Sequence, residues 1–237
     1  MEPDFSRTEA LLGKDAVSRL ASAHVAVVGV GGVGSWCAEA LARTGVGAMT
    51  LVDDDVVAPS NLNRQCPATA ATLGRRKVEA MRERLLAVNP SCKVEAIAAR
   101  YPEGLPVGFS LKGFDFVVDA IDSVDCKAEL ILAATEAGVP FASSMGAALR
   151  LDPTRVVVRR FEKVEGDGLA RALRQRFRRL GRHPSAPFRC VCSTEAPRRL
   201  PTDDVGRQVK GSVMPVTGAF GMALAAEVVS HLTVKMV

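Results

Sequence analysis

The chain has 237 residues, 48% of them hydrophobic, which is enough for one large α/β domain with a buried core. Its six cysteines form no C-x-x-C pair and it has only three histidines, which argues against a structural zinc site and favours reduced thiols in the cytoplasm. A net charge of +5, with an isoelectric point of about 9.0, indicates an anionic partner, and a surface kept soluble by its charge is the alternative.

The first part of the chain predicts a nucleotide-binding turn. Two short helix candidates within residues 3–22 precede an apolar run at 25–28, which is typical of a buried strand. A glycine-rich turn and a helical stretch at 35–43 follow. Glycines let the backbone approach a phosphate, and a helix N-terminus offers unpaired N–H groups to an anion. The G-x-G-x-x-G pattern alone does not separate a dinucleotide from ATP. The glycines are Gly29, Gly31, Gly32 and Gly34.

The second predicted strand, 48–52, ends in a run of three aspartates. Asp53 follows Gly34 by 19 residues. In a βαβ nucleotide fold, an acidic residue at the end of this strand hydrogen-bonds the ribose hydroxyls. Asp53 is therefore the predicted ribose ligand, and a polar cap of the loop is the alternative.

A polar run at 60–65 and a helix predicted over 73–88 come next. Loops that follow the strands of an open parallel sheet are where ligands bind, and Arg64 in this run could hold a phosphate through two hydrogen bonds. Lys77 lies near the start of the helix, where a lysine opposes the helix dipole. A local conflict of this kind is typical of a functional site.

Strands and helices alternate as far as residue 146. The predicted elements are strand 94–98, loop 101–113, strand 114–122, helix 127–137 and strand 139–144. This alternation predicts an α/β fold with a Rossmann-like, doubly wound, mostly parallel sheet over a core of residues 22–146. Asp122 would then lie at the end of its strand, on the same sheet edge as Asp53 and the glycine turn.

Residues 147–237 are predicted to form an antiparallel and helical extension, and the whole chain to form a single domain. The elements are an antiparallel strand at 155–161, a helix at 169–180, a strand at 188–194, a polar loop at 198–210 and a last helix from Pro215. The charge-free run 211–226 is too short to span a membrane, so we expect a buried helix there.

The candidate residues at the predicted ligand edge favour phosphate chemistry. Hydride transfer to a nicotinamide does not need an arginine, a lysine and an aspartate around the phosphates, whereas nucleotidyl transfer does. Its transition state spreads negative charge over the α-phosphate and the departing pyrophosphate. Cations stabilise that charge, usually together with magnesium held by an aspartate.

Five motifs, in order and spacing, resemble the ubiquitin-activating-enzyme-like adenylyltransferases of the ThiF/MoeB/HesA type. They are the glycine turn 29–34, residues 52–53, 61–65, Lys77 and 119–122. The resemblance implies adenylation of a carboxylate by ATP, with catalytic roles for Arg64, Lys77, Asp122 and Arg7. Arg7 would reach into the site of the partner subunit of a homodimer, and Asp122 would hold magnesium. The implied ATP contacts are Gly29, Gly31, Gly32, Gly34, Asp53, Asp55, Asn61, Asn63, Arg64, Lys77, Asp122 and Ser123.

Segments 5–13, 32–35, 40–45, 119–124 and 190–196 extend the likeness to the tRNA threonylcarbamoyladenosine dehydratase (TcdA/CsdL) branch of that family. This implies ATP-dependent cyclising dehydration of threonylcarbamoyladenosine in tRNA through an adenylated carboxylate. A tRNA partner would give a role to an arginine cluster, because phosphates need sequence-independent cationic contacts. The expected tRNA-binding residues are Arg171, Arg174, Arg178 and Arg179.

Other interpretations stay open at this point. The chain could adenylate the C-terminus of a ubiquitin-like sulfur-carrier protein in molybdopterin or thiamine biosynthesis, although the zinc cysteine pairs of those branches are absent. It could instead be a nicotinamide-dependent oxidoreductase or a nucleotide-binding regulator. Cys192 stands where the dehydratase branch has an aromatic residue, so a thiol role with Cys190 and a CsdE/SufE-type partner is a further possibility. Cys66 is interpreted as structural.

Overall fold

A computed structural model describes residues 3–201 and 211–233 of the chain. Within these residues, seven strands form one sheet. The strands are β1 (His24–Val28), β2 (Ala48–Val52), β3 (Lys93–Ile97), β4 (Phe116–Asp119), β5 (Phe141–Ser144), β6 (Val156–Arg160) and β7 (Arg189–Ser193). Their order is β3-β2-β1-β4-β5-β7-β6, and every neighbouring pair is parallel except β6 and β7. The predicted mostly parallel sheet and the antiparallel C-terminal strand are confirmed.

Helices cover both faces of this sheet. They are α1 (Ser6–Leu12), α2 (Lys14–Ser22), α3 (Gly34–Thr44), α4 (Lys77–Val88), α5 (Val124–Ala137), α6 (Gly168–Leu180) and α7 (Met214–Thr233). Successive residues of a strand point to opposite faces. Val25 and Val27 accordingly lie in the core beneath α2, α3, α4 and α7, whereas Ala26 and Val28 lie in the core beneath α5. The sheet is therefore doubly wound.

Helix α7 is a core helix. By length and composition alone it could cross a membrane, but residues including Phe220, Leu224 and Val228 are fully buried against α3 and the sheet. Gly221 permits the close approach, because a Cβ there would lie 2.6 Å from the carbonyl oxygen of Val33. This packing confirms the prediction of a buried helix near Pro215.

The connections reverse direction between β1 and β4. From β1 the chain winds outward through β2 to β3, and then returns to β4 on the other side of β1. In open α/β sheets, ligands bind in the crevice at the carboxyl ends of the strands beside such a switch point. The fold therefore brings the glycine turn after β1, Asp53 after β2 and the loop after β4 to one edge.

Two boundaries near the predicted site differ from the prediction. Helix α4 begins at Lys77 and not at residue 73, since Gly74 adopts a positive φ of 79° that interrupts the helix. Strand β4 ends at Asp119, so Asp122 lies three residues beyond it in a loop. The predicted polar loop 198–210 lies largely outside the described residues. The division at residue 146 remains a prediction, and β7 lies between β5 and β6 in the same sheet.

Candidate functional site

The glycine turn is shaped by two glycines and left open by a third. Gly29 has a φ of 93°, and a Cβ there would lie 2.6 Å from the carbonyl oxygen of Ala120. A Cβ at Gly34 would collide with the carbonyl oxygen of Gly29. At Gly31 the nearest atom to such a Cβ is Nε2 of Gln65, at 4.0 Å. The first two glycines are thus required by packing, whereas Gly31 leaves space for a ligand.

The turn presents a row of unpaired donors. The backbone N–H groups of Gly31, Gly32, Val33 and Gly34 have no hydrogen-bond acceptor among residues 3–201 and 211–233. The next amide, that of Ser35, already donates to the carbonyl of Gly31 at 3.2 Å. Successive free amides at the start of α3, reinforced by the helix dipole, form an anion site of the kind that binds phosphate.

Asp53 is fixed beside this turn by two backbone amides. Its Oδ2 accepts a hydrogen bond from Val30 N at 2.7 Å, and its Oδ1 accepts one from Asp55 N at 2.9 Å. Burial raises the pKa of the Asp53 carboxyl above its ordinary value, and the charge of Lys77 partly opposes that increase. The carboxylate therefore has a fixed orientation at the end of β2. Its role as ribose ligand remains a prediction.

Lys77 is buried and paired with an exposed acid. Its Nζ lies 2.6 Å from Oδ2 of Asp55, and the side chains are 6% and 65% exposed, respectively. The Lys77 backbone amide also donates to the Asp55 carbonyl at 3.1 Å. Asp55 thus compensates for the unfavourable position of a lysine at the start of α4. The side-chain oxygens of Asp53, Asp54 and Asp55 lie within 4.8 Å of one another.

Arg64 lies directly against the glycine turn. A Cβ at Gly32 would be 3.3 Å from Cγ of Arg64. Nη1 of Arg64 donates to the Ser60 carbonyl at 2.8 Å and to Oδ1 of Asn63 at 2.9 Å. The indole N–H of Trp36, on α3, donates to the Arg64 carbonyl at 2.9 Å. The guanidinium is therefore positioned beside the row of free amides.

The two asparagines of this polar run hold the loop itself. Oδ1 of Asn61 accepts a hydrogen bond from Ala58 N at 2.9 Å, and the residue is buried. Nδ2 of Asn63 donates to the Ser212 carbonyl at 2.9 Å, next to the start of α7. These bonds give both side chains a structural function, and their predicted contacts with ATP remain predictions.

Asp122 is exposed and makes no hydrogen bond or ion pair with the described residues. Its loop is held by a buried pair that the sequence did not reveal. Nζ of Lys127 lies 2.9 Å from Oδ2 of Asp119 and donates to the Ile121 carbonyl at 3.0 Å. Ser123 follows, and its Oγ is 3.4 Å from Nη2 of Arg100. The carboxylate of Asp122 is thus free to bind a ligand beside the turn.

Sequence reasoning missed Asp119, Lys127 and Gln65. Asp119 and Lys127 are fully buried, and Oε1 of Gln65 is buried without a hydrogen-bond partner in the described part of the chain. The one available signal for Lys127 was a lysine within an apolar helix segment. A lysine is almost never fully buried unless it is paired. Gln65 gave no signal beyond its place in the polar run.

Several predicted residues lie away from this edge. Arg7 is exposed on α1 and makes no hydrogen bond or ion pair with the described part of the chain. The neighbouring Phe5 packs on Gly45 at the far end of α3, about 16 Å from the turn at 1.5 Å per helical residue. Arg171, Arg178 and Arg179 are exposed on α6.

All six cysteines are buried as free thiols. Sγ of Cys66 lies 3.8 Å from Oε2 of Glu39, and burial raises the pKa of the Cys66 thiol to about 12. Burial likewise raises the pKa of Cys190 to about 12 and raises that of Cys192. A thiol must ionise and be reachable to act as a nucleophile. The structural interpretation of Cys66 is consistent with this environment.

Comparisons with known proteins match this arrangement. The ThiF family model matches residues 5–236. The tRNA threonylcarbamoyladenosine dehydratase of Bacillus subtilis (strain 168) is 37% identical over 96% of this chain and 94% of its own length. The E. coli enzyme TcdA in complex with AMP has a TM-score of 0.84 at 36% identity, with 96% and 93% of the two chains covered. Its complex with ATP has a TM-score of 0.82 at 35% identity and the same coverage.

Relatives that act in molybdopterin synthesis are matched over less of their length. The molybdopterin-synthase adenylyltransferase of Salmonella typhimurium (strain LT2) is 38% identical over 63% of this chain and 55% of its own length. The match to the Bacillus subtilis dehydratase, by contrast, covers 96% of this chain and 94% of that enzyme. The chain therefore belongs to the ThiF family, and it matches two tRNA threonylcarbamoyladenosine dehydratases over nearly their whole length.

Proposed function

We propose that the chain catalyses the ATP-dependent cyclising dehydration of threonylcarbamoyladenosine in tRNA. The observation that carries the proposal is the row of four free amides from Gly31 to Gly34, flanked by Arg64 and within the same sheet edge as Lys77 and Asp122. An anion site surrounded by two cations and a free acid suits a triphosphate that is cleaved at its α-phosphate. The full-length similarity to dehydratases, one of them solved with ATP, supports the same function.

The proposed reaction has two steps. An oxygen of the threonine carboxylate attacks the α-phosphorus of ATP, and the bond to the leaving pyrophosphate breaks. A nucleophile of the neighbouring urea then attacks the acyl carbon and loses its proton, and AMP leaves with the carboxylate oxygen. The net change in the nucleoside is the loss of one water. The free amides would bind the phosphates, and the Arg64 guanidinium would stabilise the negative charge that develops during the first step.

Lys77 and Asp53 would bind and orient the nucleotide from the β2 side. The Lys77 ammonium is charged and buried, and its partner Asp55 is exposed, so a polyphosphate could replace that partner without leaving the cation unpaired. The fixed Asp53 carboxylate would accept hydrogen bonds from the ribose hydroxyls. Together they would hold the α-phosphate near the reacting carboxylate, which is the positional contribution to catalysis.

Magnesium is part of the proposal, and Asp122 fits it. Its carboxylate is exposed and has no competing partner among the described residues, whereas Asp53 and Asp55 are already engaged. Mg²⁺ at nucleotide sites is bound through one or two carboxylates together with the phosphates and water. When bound, the ion would neutralise charge on the phosphates.

A homodimer in which Arg7 completes the partner's site is also proposed. Helix α1 buries none of its residues, and Leu11 on it is 83% exposed, which supports a second copy as its cover. Two inactive variants, Arg7→Ala and Asp122→Asn, should regain activity when they are mixed and exchange subunits. Each mixed dimer then has one site that contains both native residues. Mixing that restores nothing, in a protein shown to be a dimer by light scattering, would contradict this role.

The six free thiols fit a reducing compartment, so we propose the cytoplasm as the location. A CsdE/SufE-type sulfur-acceptor partner has no support from the thiols, because Cys190 and Cys192 are both buried.

The direct test combines the protein with ATP, magnesium and tRNA that carries threonylcarbamoyladenosine. Mass spectrometry of the nucleosides should show the loss of one water and the formation of AMP and pyrophosphate. Retention of the open nucleoside under conditions where ATP binds would contradict the proposal. Pyrophosphate release only with a small protein that ends in Gly-Gly would instead support the sulfur-carrier alternative.

Two variants test the assigned roles, each with a matched control. Arg64→Ala and Asp122→Ala should abolish turnover and leave the melting temperature unchanged. Arg75→Ala removes a half-buried arginine that pairs with Glu83, and Asp125→Ala removes an exposed acid near Asp122. Both controls should retain turnover, and normal rates in Arg64→Ala or Asp122→Ala would refute the corresponding role.

A further inference from the structure

A cleft of about 670 Å³ lies between the end of β6, the C-terminal half of α6 and residues 183–188. Its charged lining comprises Arg160, Glu162, Arg174, Arg178 and His183. Three arginines against one glutamate give the cleft an excess of positive charge. The cleft is remote from the glycine turn, because residue 188 precedes β7 and thus lies at the amino edge of the parallel sheet. At about 3.3 Å per residue, the five residues of β7 separate the two edges by about 17 Å.

Arg174 gives this cleft a fixed, flat cationic surface. Its Nη2 donates to the carbonyls of Phe161 and Val164, at 2.8 and 2.7 Å. Its Cζ lies 4.9 Å from the centroid of the Phe161 ring. That ring is itself stacked on Phe188, with centroids 4.8 Å apart and planes at 18°. The guanidinium is therefore fixed over the Phe161 ring, which itself packs on Phe188. Unpaired RNA bases stack on such guanidinium planes as well as on aromatic rings.

The remaining cations of the cleft are free to contact phosphates. The Arg160 side chain is 62% exposed, and among the described residues its one ion pair is an exposed pairing with Glu162, at 3.4 Å. Arg178 is exposed and makes no ion pair with the described residues. Exposed ion pairs contribute little and are easily exchanged for a phosphate. The cleft thus combines a stacking plane with cations on its rim, as expected for a nucleotide site.

Exposed arginines lie at both ends of strand β6, one end beside the cleft and the other at the sheet edge that carries the glycine turn. Strand β6 is the last strand of the sheet, and its outer side is not paired with another described strand. Arg155 lies just before its first residue, at the carboxyl edge of the sheet, and Arg159 and Arg160 lie at its other end. All three are exposed. An RNA strand that follows β6 could therefore reach both the ATP edge and the cleft.

We propose that this cleft binds an unpaired nucleotide of the tRNA, with its base stacked on Arg174 and adjacent phosphates on Arg160 and Arg178. The proposal rests on the proposed function, since it takes RNA as the substrate. The nucleotide would be one other than the reacting adenosine, because the two edges are separated by the length of β7. The cleft would contribute to binding and orientation of the tRNA and would not contact the reacting atoms.

Two double variants with equal loss of charge test the phosphate contacts. Arg160→Gln with Arg178→Gln removes the rim cations, whereas Arg171→Gln with Arg179→Gln removes exposed arginines of α6 that do not line the cleft. The probe is an anticodon stem-loop RNA with an adenosine next to the anticodon, measured by fluorescence anisotropy. The first pair should weaken binding about tenfold and reduce the slope of log K against log salt by about 1.4, at about 0.7 per contact. The second pair, whose arginines are also predicted to contact tRNA, should lower the affinity and the salt slope clearly less than the first pair does.

Arg174→Lys tests the stacking plane, since it retains the charge. Affinity for the stem-loop should fall about fivefold or more, with an unchanged salt slope, and affinity for a fully paired RNA duplex should not change. Circular dichroism and thermal melting establish that the variant is folded. If it is not, the double variants alone decide the question.

Three results would overturn the proposal. They are unchanged binding in the cleft variant, equal losses in both double variants, and displacement of the stem-loop by polyglutamate of equal charge as readily as by single-stranded RNA. The last result would point to an acidic peptide.

The dehydration assay separates this proposal from the proposed function. Normal turnover with an unchanged KM for tRNA in the cleft variant would refute the cleft alone, whereas RNA binding without dehydration by the wild type would refute the proposed function alone.

Discussion

The buried pair of Asp119 and Lys127 supports the loop that carries Asp122, and Lys127→Met should reveal its importance. Both side chains are completely buried, with Nζ and Oδ2 2.9 Å apart. Oδ2 also accepts a hydrogen bond from Ser143 at 2.6 Å, and Oδ1 accepts one from Ile121 N at 3.2 Å. Methionine has a similar volume to the lysine side chain, so the substitution removes the charge without a large cavity and leaves the Asp119 carboxylate buried with no counter-ion.

The expected cost is large. Removing one partner of a buried ion pair typically destabilises a protein by about 3–5 kcal/mol. At about 2–4 °C per kcal/mol for a chain of this size, the melting temperature should fall by about 6–20 °C. The double variant Lys127→Met with Asp119→Asn buries no charge, so it should recover part of the loss. The coupling between the two residues is measured by a double-mutant cycle. It compares the urea unfolding of the wild type, Lys127→Met, Asp119→Asn and the double variant.

This reasoning would be refuted if the free energy of unfolding of Lys127→Met lay within about 1 kcal/mol of that of the wild type. Equal stability of Lys127→Met and the double variant would also contradict it, because the penalty would then not come from an unpaired carboxylate. Turnover of the double variant adds a second readout. Its Ile121 carbonyl has lost the Lys127 donor, so we expect a lower rate in the proposed reaction even where the protein is fully folded.

Three further predictions follow from the packing and burial. Gly221→Ala should destabilise the protein by about 1–3 kcal/mol, because its Cβ meets the fixed Val33 carbonyl, whereas Gly218→Ala faces only the flexible Met214 side chain and should cost much less. Thiol reagents at pH 8 should label no cysteine in the native protein and all six after unfolding, and rapid native labelling would contradict the burial. Burial raises the pKa of Asp53, so the folded state binds its proton more tightly than the unfolded state does, and the contribution of Asp53 to stability should decrease as the pH rises above about 3.8. Asp53→Asn should flatten that decrease in urea titrations between pH 4 and pH 6, and an identical pH profile would refute the assignment.

The residues of the site that lie directly after the end of a strand were predictable from the sequence. The apolar run of β1, its glycines and the aspartates after β2 are local signals, because side-chain alternation and turn chemistry are set by near neighbours in the chain. The sheet edge then follows from the parallel order of the strands. Arg64 was found for the same reason, since it lies in a polar run between two regular elements.

The residues that hold the site in place were not predictable in the same way. Asp119 and Asp122 are both acids near the end of one strand. The sequence pattern predicted that the strand ends at Asp122, whereas it ends at Asp119. Only the tertiary structure shows that Lys127, one turn into α5, comes back to Asp119. Burial of an ion pair depends on the elements that cover it, here α5 and its neighbouring strands. A pattern of residues in one chain segment does not contain that information.

Lys77 and Lys127 show how one sheet edge uses two buried lysines in different ways. The partner of Lys127 is fully buried, and the lysine also bonds the Ile121 carbonyl, so its charge is satisfied entirely within the protein. The partner of Lys77 is 65% exposed, so the positive charge of Lys77 is balanced by a carboxylate that solvent or a ligand can reach. A buried cation needs a partner at all times, but only an accessible partner can be exchanged without a large desolvation cost. This difference supports a fixed structural function for Lys127 and the proposed phosphate-binding function for Lys77.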